Sequence, residues 1–537
     1  MRYLKLTLLV VLTLAGVWLA LQALLSLGWR PVQDTPILLY QGYLMDRLGY
    51  VPYRDFFDLN TPGVHWFYWM IGNLSAYSLI GYRLIDLGIL ALILLMTMVW
   101  MRGFSKIVAG CSVILFGLYF FSSGPSFSLQ RDYLVLLPVS AALVIFSLPR
   151  IITWLRLVCT GLLFGISTTI RPAAALVVLP VVIAVWQDWK HNQTWGKSIS
   201  HESVYSQPVT YSPNSMSRVN YRELLLDLTL LWGGFALPLI FTVIFLFTSG
   251  AWSNFWEIVL NYWPLYNSLS GELRTIAASE KLNYLLDTWS HLGGFWIWLA
   301  PALLGWSMVI LNEKASQANR RQASMILMLA AVYSIYPLIA GKFWTFHWIP
   351  AAYFWTQAAS LCLVERPAWL PEKAAWFPAF LLLLVAIMGR DDASGNRRSL
   401  FTIVQQPEEQ GMVANISNFL DANLQPGDLV QPLDLTGGAV NAMLQQRAEV
   451  ATPFIQDLMF YHHISSPYIQ GLRTRFIQNL QSTSPRFVIE VYAPDKPWSW
   501  GENTTQDFPE LQVYLAGNYQ VALQDKGFRI YERIFPR

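Results

Sequence analysis

Apolar residues along this chain come in long blocks rather than in alternation. The first block covers 6–27; others fall near 82–101, 107–122, 133–149, 154–170, 172–188, 224–248, 291–311, 323–340, 346–364 and 374–389. Long uncharged blocks suit helices that cross hydrocarbon, where every backbone polar group has to be satisfied inside the segment. Several are shorter than the ~20 residues a perpendicular crossing needs, so their ends are expected to extend into flanking aromatic residues. Arg2 and Lys5 before the first block also fit a signal peptide, but the apolar run is long for one and no small-residue cleavage pattern stands out before Arg30. An uncleaved first span is expected.

Between the first two blocks lies a mixed stretch, 29–63, WRPVQDTPILLYQGYLMDRLGYVPYRDFFDLNTPG. Thr35 and Pro36 read as N-cap and first-turn proline of a helix over 36–48, which Gly49 ends. Ile37, Leu38, Tyr40, Leu44 and Leu48 recur at near-helical spacing, which predicts a helix lying flat on the bilayer. The segment 64–80, VHWFYWMIGNLSAYSLI, is expected to be a second interfacial helix, because counting it as a span breaks the charge pattern.

That pattern orients the chain. With eleven spans and the N-terminus inside, the inner loops hold Arg102 and Lys106, then Arg150 and Arg156, then Lys190, Lys197, Arg218 and Arg222. Later inner loops hold Lys314, Arg320 and Arg321, then Arg366 and Lys373. Lys and Arg in short loops mark the cytoplasmic side. The stretch 29–81, the loop 249–290 and the C-terminus are therefore expected on the outer face. The Ser/Asn/Gln-rich loop 189–223 reads as a flexible cytoplasmic connector.

Composition agrees: 54% of residues are hydrophobic and 13% charged, and 24 Trp with 25 Tyr suit many bilayer interfaces. A net charge of +3 gives no reason to expect a nucleic-acid partner. The three cysteines, Cys111, Cys159 and Cys362, all fall within apolar blocks and have neither metal-ligand nor disulfide-framework spacing. From about 390 the composition changes. A linker, DDASGNRRS, leads into helices at 411–422, 438–446 and 467–481, strands at 428–433 and 486–492, and a hairpin at 519–533. Two domains are expected: 1–389 in the membrane, and a small soluble α/β domain, 390–537, outside it. Thr436-Gly437-Gly438 is too short a signal for phosphate binding, so a scaffolding or acceptor-guiding role is expected of this domain.

The acids of the mixed stretch, Asp34, Asp55 and Asp58, carry the resemblance. An Asp straight after the first span, a helix expected to lie flat, then G-x-x-P-Y-R-D (Gly49 to Asp55) and a Pro-Gly turn resemble the GT-C superfamily of membrane glycosyltransferases. The likeness covers roughly 1–390 and is to bacterial relatives of protein O-mannosyltransferases and of the lipid A aminoarabinose transferase (glycosyltransferase family 39-like). It implies a multi-pass α-helical fold of about eleven transmembrane helices in a bacterial cytoplasmic membrane. It also implies a polyprenyl-phosphate-linked sugar donor and transfer on the non-cytoplasmic face. The acceptor (lipid, polysaccharide or protein) stays open, as does the need for a divalent metal.

Moving a sugar from a phosphate ester to a hydroxyl needs a base for the hydroxyl proton and cations for the departing phosphate. By its place after the first span, Asp34 matches the family's catalytic acid; its structural alternative is a helix-start residue. Asp55 is the second catalytic candidate, ahead of Asp58, which with Arg54 is a candidate for substrate binding; the two acids share a loop with Arg54 and Asn60, where an Arg–Asp pair would equally shape the turn. Arg131 and Asp132, in SSGPSFSLQRDYLVLLP, open a span on the outer side, where related transferases carry an acid. Arg171, in TTIRPAA, is placed either to snorkel to headgroups or to meet a lipid phosphate. Lys342 and His347, in GKFWTFHWIP, resemble the family's late basic loop; a lone interfacial His is more often structural. His462-His463 is expected at the surface. Transport of lipid-linked glycans is the competing class, and a GT-C-like binder without catalysis a third; the notable charges lie at outer ends and no internal repeat is seen, which favours transfer.

Overall fold

The structure is a computed structural model that describes residues 2–148, 151–187, 189–190, 221–391, 397–406, 411–492 and 496–534. The expected connector and part of the expected linker (191–220 and 392–396) lie outside the described residues.

Helices occupy the positions of the apolar blocks. In chain order they are α1 (Arg2–Leu25), α2 (Asp34–Leu48), α3 (Pro62–Ser75), α4 (Leu79–Met101), α5 (Lys106–Ser123), α6 (Arg131–Leu134), α7 (Leu136–Ser147), α8 (Thr153–Ile170), α9 (Pro172–Gln187) and α10 (Tyr221–Thr248). Three short helices follow: α11 (Trp252–Glu257), α12 (Trp263–Asn267) and α13 (Ala278–Ser290). Then come α14 (Trp296–Ile310), α15 (Gln317–Ser334), α16 (Tyr336–Ala340), α17 (Ile349–Ser360) and α18 (Phe377–Met388). Among the described residues six helical stretches are individually long and apolar enough to cross a membrane: Lys5–Gly28, Leu79–Met101, Lys106–Ser123, Thr153–Ile170, Tyr221–Thr248 and Gln317–Ala340. The chain is a multi-pass α-helical membrane protein.

Small residues let neighbouring spans touch backbone to backbone. A Cβ added at Gly161 would lie 2.0 Å from the Leu231 carbonyl oxygen, and one at Gly234 would lie 2.2 Å from that of Val158, so α8 and α10 meet without side chains between them. A buried ion pair ties α4 to two loops. Arg83 pairs with Asp86 and donates to the Ser26 carbonyl at 2.9 Å, while Asp86 accepts from Ser128 Oγ at 2.6 Å and from the Leu129 N–H at 3.1 Å. Charges three apart in an apolar helix are costly unless paired, and this pair braces the segments just before Asp34 and Arg131.

The expected flat helix is α2, and its placement differs from the expectation. It begins at Asp34, with Gln33 ahead of it at φ 58° and ψ −126°; Thr35 does not cap it but donates from Oγ1 to the Ser128 carbonyl. Gly49, at φ 70°, ends it as expected. Residues 35–44 are all buried inside the protein, not laid on the bilayer. The physical reason is the run Ile37-Leu38-Leu39-Tyr40, which puts apolar groups around the whole circumference; such a helix seeks cover on every side. Half-buried α3, by contrast, exposes Trp69, Met70 and Leu74.

Helix α3 covers one face of α2, where a Cβ added at Gly42 would lie 2.7 Å from the Tyr68 carbonyl oxygen, and the C-terminal region covers another. Here α19 (Met412–Asn423), α20 (Gly438–Gln445), α21 (Pro467–Thr483) and α22 (Pro509–Asn518) accompany a five-stranded sheet. After a short pair, β1 (Arg390–Asp391) and β2 (Arg397–Arg398), come β3 (Leu429–Leu433), β4 (Glu449–Val450), β5 (Phe487–Val491), β6 (Tyr519–Asp525) and β7 (Phe528–Arg533), in the spatial order β4-β3-β5-β7-β6. β3 runs parallel to β4 and β5, and β7 runs antiparallel to β5 and β6. Four elements, β1, β2, β4 and α22, were not expected: β1 and β2 fall where a linker was expected, a two-residue strand has no period to detect, and α22 buries only Leu511 and Leu515. Tyr40 Oη donates to the Ala448 carbonyl at 2.7 Å, Tyr43 Oη to that of Arg447 at 3.1 Å, and the Phe57 N–H to that of Pro453 at 2.8 Å.

Candidate active site

Asp34 is the first residue of α2, and its carboxylate is about one-third exposed (34%). Arg131, at the start of α6 and nearly buried, donates from Nη2 to Asp34 Oδ2 at 2.5 Å and from Nη1 to Asn60 Oδ1. Oδ1 of Asp34 has no hydrogen-bond partner among the described residues. The helix register turns the next residue, Asp132, the other way into full burial. There it accepts from Arg171 Nε at 3.2 Å and from Tyr336 Oη. Arg171 caps the C-terminus of α8 and also contacts His347 Nε2 through Nη2 at 2.8 Å. A guanidinium can only donate, so His347 Nε2 accepts and its proton sits on Nδ1, which is buried without a partner.

Asp58 lies beside the first network. It accepts from Gln41 Nε2 at 2.5 Å and from the Asn60 N–H at 2.6 Å, with buried His65 at 3.7 Å. Asn60 thereby links Asp58, in its own loop, to Arg131 at the start of α6, a pairing across 71 residues that no local spacing reveals. Lys342 approaches from the far side. Its Nζ donates to the carbonyls of Tyr266 and Leu269, each at 2.7 Å, and stands 4.3 Å from the centre of the Tyr266 ring. Burial, with the charge of Lys281 adding to it, pushes the Lys342 ammonium down to about 6.

Two adjoining cavities connect these groups. The larger, about 1180 Å³, is lined by Asp34, Asp58, Asn60, Arg131 and Lys342 on one side. On the other it is lined by Arg274 from the segment between α12 and α13 and by Thr436, Gln456, Lys496 and Trp500 from the C-terminal region. The smaller, about 180 Å³, is lined by Arg131, Arg171, Lys342 and His347, with Ile170, Pro172, Ala173 and Ile339 also on its wall. The structure thus gathers Asp34, Asp58, Arg131, Arg171, Lys342 and His347 around one composite space, with Asp132 buried behind it.

Arg54 and Asp55 line neither cavity. They form a partly exposed pair at 2.8 Å, in which Asp55 also accepts from the Val51 N–H at 2.7 Å and Arg54 donates to the Ser249 carbonyl. Partial burial opposes ionisation of Asp55, but Arg54 and the Val51 N–H outweigh it and hold the carboxyl below its ordinary range. His462, expected at the surface, is fully buried; its ring contacts Tyr262 Oη at 3.2 Å and His463 at 2.8 Å. The reason is the cover of Tyr262 and Ser268 from a remote segment, absent from any local pattern. Tyr266, Tyr336 and Lys496 were also missed: two are tyrosines among 25, and Lys496 is conspicuous only once its buried partner Asp457 is seen. Among the described residues no group of three or more His, Cys, Asp or Glu is arranged to hold a metal ion.

No family model and no curated protein matches the sequence. Solved structures do. The chain superposes over 98% of its length on 99% of ArnT from Cupriavidus metallidurans bound to undecaprenyl phosphate, with a TM-score of 0.54 and 13% identity. A looser likeness, TM-score 0.44 and 11% identity over 89% of this chain and 69% of the other, is to the oligosaccharyltransferase AglB from Archaeoglobus fulgidus in complex with an inhibitory peptide and a dolichol-phosphate. The chain shares its fold with ArnT over nearly the whole length of both.

Proposed function

We propose that this protein is an inverting glycosyltransferase that takes a sugar from a polyprenyl-phosphate donor and passes it to an acceptor hydroxyl. We place it in a bacterial cytoplasmic membrane, with residues 1–389 as the membrane domain and 390–537 as a soluble domain on the non-cytoplasmic face. The observation that carries the reading is the composite cavity, with a carboxylate in the larger chamber and two guanidinium groups and the Lys342 amine around the smaller one. The smaller chamber matches a phosphate in size and charge, and its apolar wall of Ile170, Pro172 and Ile339 suits the start of a prenyl chain.

In this reading the acceptor oxygen attacks the anomeric carbon as the bond from that carbon to the phosphate oxygen breaks. The leaving electron pair stays on the phosphate, where Arg171 and Lys342 meet it. The acceptor proton passes to Asp34. Arg131 holds one oxygen of that carboxylate and leaves the other without a partner. A single displacement inverts the anomeric centre. Asp132 and His347 act behind Arg171 by fixing its fork.

Asp34→Asn tests this directly. Asparagine is as good at a helix start and keeps the shape, but it cannot take the proton. Purified Asp34→Asn should melt like the parent, bind the lipid donor, and lose transfer by at least about 100-fold. Full turnover in that variant would remove Asp34 from the chemistry.

A further inference from the structure

The turn that joins β3 to α20 reaches the catalytic helix at one point. Gly437 sits at φ 78°, in the left-handed region, and a Cβ built there would lie 2.8 Å from the carbonyl oxygen of Gln33. Gln33 is the residue before Asp34, and it is itself held at φ 58°, a conformation a glutamine rarely adopts. The turn is not free to yield. Asp434 accepts from the Thr436 N–H at 2.6 Å, from Thr436 Oγ1 at 2.7 Å and from the Ala439 N–H at 2.9 Å, closing the turn onto the start of α20. Behind it, the hydrogen bonds from Tyr40 and Tyr43 fasten α2 to residues 447 and 448. Gln33, Asp34 and Thr436 then line the same cavity.

We propose that Gly437 is a positioning residue for Asp34: the absence of a side chain there lets the C-terminal region press backbone against backbone and set where the carboxylate stands. This rests on the reading of Asp34 as the base. Any side chain at 437 has to push the Gln33 carbonyl by about 0.6 Å to regain an ordinary contact of 3.4 Å, and displacements of that size at a reacting group cost about tenfold in rate. The C-terminal sheet is on this account part of the alignment of the reacting groups.

The test uses the full chain in detergent or nanodiscs, with a polyprenyl-phosphate sugar as donor. Gly437→Ala and Gly437→Asn are compared with Gly427→Ala. Gly427 has φ 88° in the same region but open space around its added Cβ, so it reports the strain of a non-glycine residue without the contact. Asparagine tolerates a left-handed backbone and still carries a Cβ. Both Gly437 variants should lose about tenfold in kcat with KM for the donor within twofold, because Arg131, Arg171 and Lys342 are untouched; their melting points should match Gly427→Ala. A kcat loss in Gly437→Ala no larger than in Gly427→Ala, or full kcat in Gly437→Asn, overturns the proposal. If Gly437→Ala fails to fold, Gly437→Asn carries the test alone. Asp34→Asn assayed alongside separates the two ideas. An active Asp34→Asn ends the reading of the base, whereas an inactive one beside normal Gly437 variants ends only the positioning role.

Discussion

Lys342 makes donor affinity depend on pH in a way that its structure lets one work out. Burial, with the charge of Lys281 adding to it, pushes its ammonium down to about 6. Above that pH the side chain is neutral until an anion arrives. A phosphate in the cavity favours the charged form, so binding takes up one proton. Affinity should therefore fall as pH rises through the window above 6, approaching about tenfold, or 1.36 kcal/mol, for each unit between pH 7 and 8. The sign is set by which state holds more protons: the bound state does, so raising pH opposes binding. The measurement is Kd for a polyprenyl-phosphate sugar from pH 5.5 to 8.5 at fixed salt. A phosphodiester probe is needed, because its own charge does not change in this range. Lys342→Met keeps the length and apolar volume and removes the titration; it should bind more weakly at pH 6 and show a nearly flat profile. A flat profile in the parent, or the same slope in Lys342→Met, would refute the reasoning and leave Lys342 as a tether for the outer loop.

Asp86→Ala should cost about 3–5 kcal/mol, seen as a large drop in melting temperature and yield, because Arg83 is left buried without its counter-charge; a melting point near that of the parent would show that the pair braces nothing. Asp55→Asn should leave transfer within about threefold and stability within about 1 kcal/mol, since its pair is partly exposed and asparagine can still accept from the Val51 N–H; if it is inactive while Asp34→Asn is active, the catalytic acid lies in the P-Y-R-D motif. Reporter fusions after residue 205 should report cytoplasm and those after residue 400 the outer face. A cytoplasmic signal after 400 would put the two walls of the large cavity on opposite sides.

The membrane class, the positions of the six helical stretches long and apolar enough to cross, and the elements of the C-terminal region except β1, β2, β4 and α22 follow from the sequence alone. Each depends on local composition or on a period within one segment: apolar blocks for the spans, Gly49 for the end of α2, alternation for β5 and β7. Asp34 could be singled out by its place just after the first span. Its partners could not. Arg131 stands 97 residues away on a different helix, and Asn60 and Lys342 come from two further loops. Nor does the pattern of α2 say which surface covers it; the same apolar circumference would suit lipid or protein, and only the packing of α3, α20 and the turn at residues 447–448 decides for protein. Pairing distances, the burial that lowers Lys342 and the backbone contact at Gly437 are properties of packing between remote segments, and packing is where a one-dimensional period carries no information.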